Sequence, residues 1–121
     1  MQALATLFVA LIALEHVYIL ILEMFLWTTP KGLRAFGMTP AQAEATKVLA
    51  ANQGLYNGFL AAGLLWSLVH PDAAVAFQLK LFFLGAVVVA GLYGGATASR
   101  KIFVIQALPA AIALAAVLIA G

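Results

Sequence analysis

The sequence predicts an all-α fold: a polytopic membrane protein whose four transmembrane helices form a bundle in up-down order. Three observations carry that prediction. Of 121 residues 66% are hydrophobic and only 8% are charged, too few polar groups to cover a water-soluble domain. Four apolar runs each approach the roughly 20 residues that a helix needs to cross a bilayer. Short polar breaks with Pro, Gly, Lys and Arg separate the runs and leave no room for a second domain, so residues 1–121 read as one integral membrane domain.

The first helix is expected over residues 3–27, about 37 Å at the α-helical rise, enough to cross a bilayer core with some tilt. The chain starts Met-Gln-Ala, without the basic segment of a signal peptide, and Glu15 with His16 interrupts the apolar run, so this helix is expected to be retained. Trp27 closes it as an interfacial aromatic, and Thr28-Thr29-Pro30-Lys31-Gly32 breaks it. Residues 31–38 mix Lys31 and Arg34 with Leu33, Phe36 and Met38, which suits a short segment on the membrane surface.

A second helix is expected over residues 39–69. Thr39 is placed to cap it, Pro40 suits its first position, and Gln42 completes a capping box. Gln42, Glu44 and Lys47 are too polar for lipid, so its crossing should begin near Val48. Ala50, Gly54, Gly58 and Ala62 form a small-residue stripe that lets a neighbouring helix approach.

The turn His70-Pro71-Asp72 offers Asp72 as N-cap of a third helix over residues 72–94, with His70 on the surface. This helix carries Gln78 and Lys80, then small residues at Ala86, Ala90, Gly91, Gly94 and Gly95. After a polar loop at 97–101 a fourth helix is expected over residues 102–120. It contains Gln106 and Pro109, and the proline removes the donor that would meet the Ile105 carbonyl, so a kink is expected.

Lys31, Arg34 and Lys47 surround the first loop, Arg100 and Lys101 lie in the third, and the second has no Lys or Arg. Positive loops stay cytoplasmic, which places both termini outside. Several function classes drop out. Without cysteine there is no thiolate chemistry, disulfide or iron–sulfur cluster. No dense basic run points to nucleic acid, and no phosphate loop, dinucleotide fingerprint or nucleophile elbow is present. His16 and Glu23 lie two helical turns apart rather than at ligand spacing, so neither a metal nor a cofactor is expected.

The chemistry concentrates in the first helix. Ionisable groups at bilayer depth cost several kcal/mol each, about 2.5 or more on insertion scales, and normally face a protein interior. Glu15, His16 and Glu23 fall within one wedge of that helix. Asn57 is expected beside them at mid-depth, with Asn52 and Gln53 lower on the second helix and Gln106 in the cytoplasmic half of the fourth, forming a polar column; Tyr56 sits beside the small-residue stripe with these amides. Lys80 has two readings: an ion pair with Glu15, or a side chain snorkelling to the outer interface. Tyr18, Tyr56 and Tyr93 read as structural.

At these positions the chain resembles a known family. Glu15-His16-Val17-Tyr18-Ile19, Leu22-Glu23-Met24-Phe25, the run Asn52-Gln53-Gly54-Leu55-Tyr56-Asn57-Gly58-Phe59, and Gln106 through Pro109 are similar to domain-of-unknown-function family 1304, over essentially the whole chain. The resemblance implies a small four-helix protein of the bacterial inner (plasma) membrane. It makes Glu15, His16, Glu23, Asn52, Gln53, Tyr56, Asn57 and Gln106 signature positions without assigned roles. More loosely, Glu15 resembles the mid-helix glutamate of the small multidrug resistance transporters, although the surrounding motif differs.

The residues themselves lead to a protonatable carboxylate site used in proton-linked transport or binding of a small amphipathic molecule. A membrane enzyme with Glu15 and His16 as acid and base on a lipid or quinone-like substrate is the second reading, and a structural protein the third. The expected partners are the lipid bilayer, a small-molecule ligand and, through small-residue faces, further copies of the chain.

Overall fold

The computed structural model describes residues 1–121, and its helices follow in the order α1 (Gln2–Met24), α2 (Pro30–Phe36), α3 (Pro40–Val69), α4 (Ala73–Thr97), a π-helical turn at Phe103–Ala107, and α5 (Leu108–Ala120). There are no strands. Two compact units share these helices: residues 14–61 form one, and residues 1–13 with 62–121 form the other.

Within residues 14–61 the chain is shaped by its breaks. α1 stops at Met24 rather than at Trp27 because Phe25 and Leu26 both donate to the Ile21 carbonyl, at 3.0 and 3.1 Å, which widens and ends the last turn. Trp27, freed from the helix, donates its indole N–H to Thr46 Oγ1 at 3.1 Å and stacks at a tilt on Phe36. The expected surface segment is α2. Thr29 caps it by accepting from Gly32 N–H, Pro30 opens it, and Gly37 closes it at φ 62°, a left-handed conformation suited to glycine. The capping box of α3 forms as read: Gln42 N–H donates to Thr39 Oγ1 at 3.2 Å, and Thr39 N–H to Gln42 Oε1 at 3.0 Å.

α3 approaches α1 along its small residues. A Cβ on Gly54 would sit 2.6 Å from Met24 Cγ and 3.3 Å from the Leu20 carbonyl oxygen, and one on Gly58 would meet the Leu20 side chain. The stripe continues to Ala61, which is buried, and not to Ala62, which is exposed. Helical geometry explains this, because Ala61 returns to within about 20° of Ala50 whereas Ala62 lies about 120° away.

The other unit buries Val9, Leu64, Leu84, Val87, Ala110 and Ala113 completely. Asp72 caps α4 as expected, its Oδ1 accepting from Ala74 and Val75 at 2.9 and 3.1 Å. His70 Nδ1 accepts from Asp72 N–H within the same turn, and the residue is half-buried. α4 runs on to Thr97, beyond the expected end near Gly94. Its small residues pack inside the chain: Gly91 on the Ala107 backbone, Gly94 against Ile102 and Gly95 against the Phe103 ring. Asp72→Ala should lower unfolding stability by about 1 kcal/mol, the ordinary loss of an N-cap, read as a shift in the detergent-unfolding midpoint.

The kink expected at Pro109 takes a specific form. Leu108 N–H donates to the Phe103 carbonyl, five residues back, and the helix widens into a π turn before α5. A chain that must lose one donor at proline can relieve the clash by inserting a wider turn just before it.

Three helices are long and apolar enough to cross a membrane: Gln2–Met24, Ala73–Thr97 and Phe103–Ala120. α3 is the longest element at 30 residues. It stays below the hydropathy of the other three, because Asn52, Gln53 and Asn57 follow the polar turns that hold Gln42, Glu44 and Lys47.

Candidate functional site

The ionisable groups of α1 divide between its middle and its end. At mid-length His16 is completely buried, while Glu15, about 100° round the helix, keeps 26% of its side chain exposed. His16 Nδ1 lies 3.8 Å from Glu15 Oε1, close enough for charge to be felt but too far for a hydrogen bond. That Glu15 oxygen is shielded from solvent and has no hydrogen-bond partner, the one buried side-chain polar atom in the molecule so placed.

Glu23 has a different setting. It is half-buried near the last turn of α1 and accepts a 2.6 Å hydrogen bond from Asn57 Nδ2 on α3. Gly54 makes that contact feasible, since a Cβ there would lie only 3.1 Å from Glu23 Cβ. α3 therefore meets α1 through a glycine beside the carboxylate and an amide one turn further along.

The same contacts correct the expected depth of the α3 amides. Asn57 sits level with Glu23, about 12 Å along the helix axis from Glu15, rather than beside Glu15. With Gly54 opposite Leu20, Glu23 and Met24, residues 40–53 of α3 run past the end of α1. Asn52 and Gln53 lie there, and both are exposed, as is Tyr56, which packs edge-on against Phe59. Glu23 and Asn57 are thus brought together, and Asn52, Gln53 and Tyr56 do not join them in a buried column.

Gln106 and Lys80 belong to the other unit. Gln106 is half-buried in the π turn. Lys80 enters neither ion pair of the structure, which are Lys47–Glu44 and the Glu15–His16 contact. It lines a cavity at the start of α4 instead.

Sequence reasoning missed two contacts. Lys31 Nζ lies 5.3 Å from the centroid of the Tyr18 ring, tying α2 back to α1 by a cation–π contact, and Thr46 holds Trp27. The sequence signals only that Thr28 to Gly32 is a break, not how sharply the chain folds back. The π turn left a fainter trace, the proline inside an otherwise continuous apolar run.

Three helices of membrane-spanning length, no strands, and carboxylates set within one of those helices define a small α-helical membrane protein. The chain belongs to the family described as protein of unknown function (DUF1304), whose model matches residues 10–118. It is similar to the uncharacterized protein YpaA of Lactococcus lactis subsp. lactis (strain IL1403), 34% identical over 98 residues, or 79% of this chain and 81% of that protein. No solved structure matches the chain.

Proposed function

We propose that the chain crosses the bacterial inner membrane four times, with both termini outside, and that Glu15 exchanges a proton there as part of binding or moving a small amphipathic molecule. The observation that carries the proposal is the orphaned Glu15 oxygen in the middle of an apolar span. A carboxylate with one oxygen shielded and left without a donor is a costly thing to keep for packing alone, and proton exchange is the chemistry open to it. Glu23, held by Asn57 nearer the cytoplasmic end, serves as the second carboxylate of the path.

The four-crossing topology has its own support. The Gln2 side chain donates to the Ala120 carbonyl at 3.0 Å, so the start of α1 and the end of α5 lie side by side, at one end of their unit. Ala73, at the start of α4, lines a cavity with Gln2 and Gly121 at that same end. Between α1 and α4 only α3, at 30 residues, is long enough to cross a bilayer. The charge bias of the loops supports an outside location for the shared end.

His16 is sealed from any substrate, which favours the proton-exchange reading over acid–base catalysis by the Glu15–His16 pair. Protein reconstituted in liposomes with a pH dye inside should take up protons on an imposed gradient, and Glu15→Gln should abolish that uptake while leaving the helical circular-dichroism signal intact. Undiminished uptake by the variant would defeat the proposal.

A further inference from the structure

Lys80 poses a problem of charge balance. It lies about 10 Å along α4 from Ala73, half-buried, inside one of the three membrane-spanning helices. No acidic side chain meets it: it makes no ion pair, and Asp72 on the turn above spends Oδ1 on the N–H groups of Ala74 and Val75. An unpaired ammonium within such a helix is unfavourable unless a counter-ion or water reaches it.

The structure also supplies a space for that counter-ion. Lys80 lines a cavity of about 510 Å³, within the range typical of small-molecule sites, formed by the first turns of α1 and α4 and the last turn of α5. The remaining walls are chiefly apolar: Ala5, Ala76, Phe77 and Val117, the first two and the last of them buried. Gln2, bonded to the Ala120 carbonyl, and Gly121 complete the lining; no Asp or Glu side chain lines the space, and Gly121 makes no ion pair with Lys80.

We infer that this cavity binds an amphipathic anion, its single negative headgroup paired with Lys80 and the first part of its acyl tail against Phe77, Ala76 and Val117. One cation among chiefly apolar walls selects for a molecule with one charge and a tail, since a free inorganic anion would leave the walls uncovered. A fatty carboxylate and the phosphodiester of an anionic lipid share this chemistry, and both reach the cavity from the surrounding bilayer. The site is separate from Glu15, so it stands or falls independently of proton exchange.

The test is calorimetric titration of the purified full-length protein in a neutral maltoside detergent. Four water-dispersed probes are compared: decanoate, decanol, dihexanoyl phosphatidylglycerol and dihexanoyl phosphatidylcholine. Binding of decanoate or of the phosphatidylglycerol, with the uncharged or zwitterionic counterpart at least tenfold weaker, is the expected result, and the tighter of the two anions identifies the source. Lys80→Gln should weaken that anion about tenfold or more, the usual scale for losing a charge-assisted hydrogen bond. Lys80→Arg should retain it, Ala74→Trp at the exposed rim should block it, and Glu15→Gln should leave it unchanged. Equal affinity for decanoate and decanol, wild-type anion binding by Lys80→Gln, or competition by inorganic phosphate as strong as by decanoate would each overturn the assignment.

Discussion

Gly91→Leu is expected to destabilise the protein by about 3 kcal/mol or more, at the upper end of overpacking effects. A Cβ at position 91 would lie 2.6 Å from the Ala107 nitrogen and 2.8 Å from its Cα, so what blocks it is backbone, which cannot swing away as a side chain can. Relief requires α4 to move off the π turn, and Ala107 is buried in that contact. Gly85 provides the control. Nothing lies within 4 Å of a Cβ built there, and Gly85→Ala should raise stability by about 0.5–1 kcal/mol through the backbone entropy of the unfolded chain. Denaturant or SDS titration of the two variants in the same detergent measures both. If Gly91→Leu unfolds at the wild-type midpoint, α4 does not pack on Ala107 as described.

Gly91 also shows what the sequence could convey. That α4 had a small-residue face was plain from its second half, and so was the value of such a face for close helix approach. Which helix would fill it was not. Gly91, Gly94 and Gly95 receive Ala107, Ile102 and Phe103 of the same chain. The caps were legible almost atom by atom, because Thr39, Gln42 and Asp72 act on backbone groups two or three residues away. Depth was legible only in part. Counting along α1 located Glu15 correctly near mid-length, but the level of Asn57 depends on the register between α1 and α3. Tertiary contacts at Gly54 and Trp27 set that register. A residue count alone cannot supply it once a loop folds back. Likewise Lys80 could be narrowed to an ion pair with Glu15 or a side chain snorkelling to the outer interface, and only the packing of three helix ends around it revealed a cavity.

The second large effect should come from Asn57→Leu. The amide is the donor that the structure gives Glu23, and removing it leaves a half-buried carboxylate beside Gly54 with nothing to replace the lost bond. The expected destabilisation is about 2 kcal/mol, because a polar group left unsatisfied loses its desolvation free energy as well as the bond itself. Glu23→Leu combined with Asn57→Leu should recover much of that loss, since neither partner is then stranded. The coupling from the double-mutant cycle is expected to be about 1 kcal/mol, within the range for hydrogen bonds between membrane helices. A coupling indistinguishable from zero would mean that the bond does not form in the folded protein. The cycle also separates architecture from chemistry. Asn57→Leu acts on the joint between α1 and α3, so it should lower the unfolding midpoint while proton uptake per folded molecule persists. Glu15→Gln removes no hydrogen bond from the orphaned oxygen, so it should leave the midpoint nearly unchanged and abolish uptake. Opposite responses in the two measurements separate the amide that joins α1 to α3 from the carboxylate that exchanges the proton.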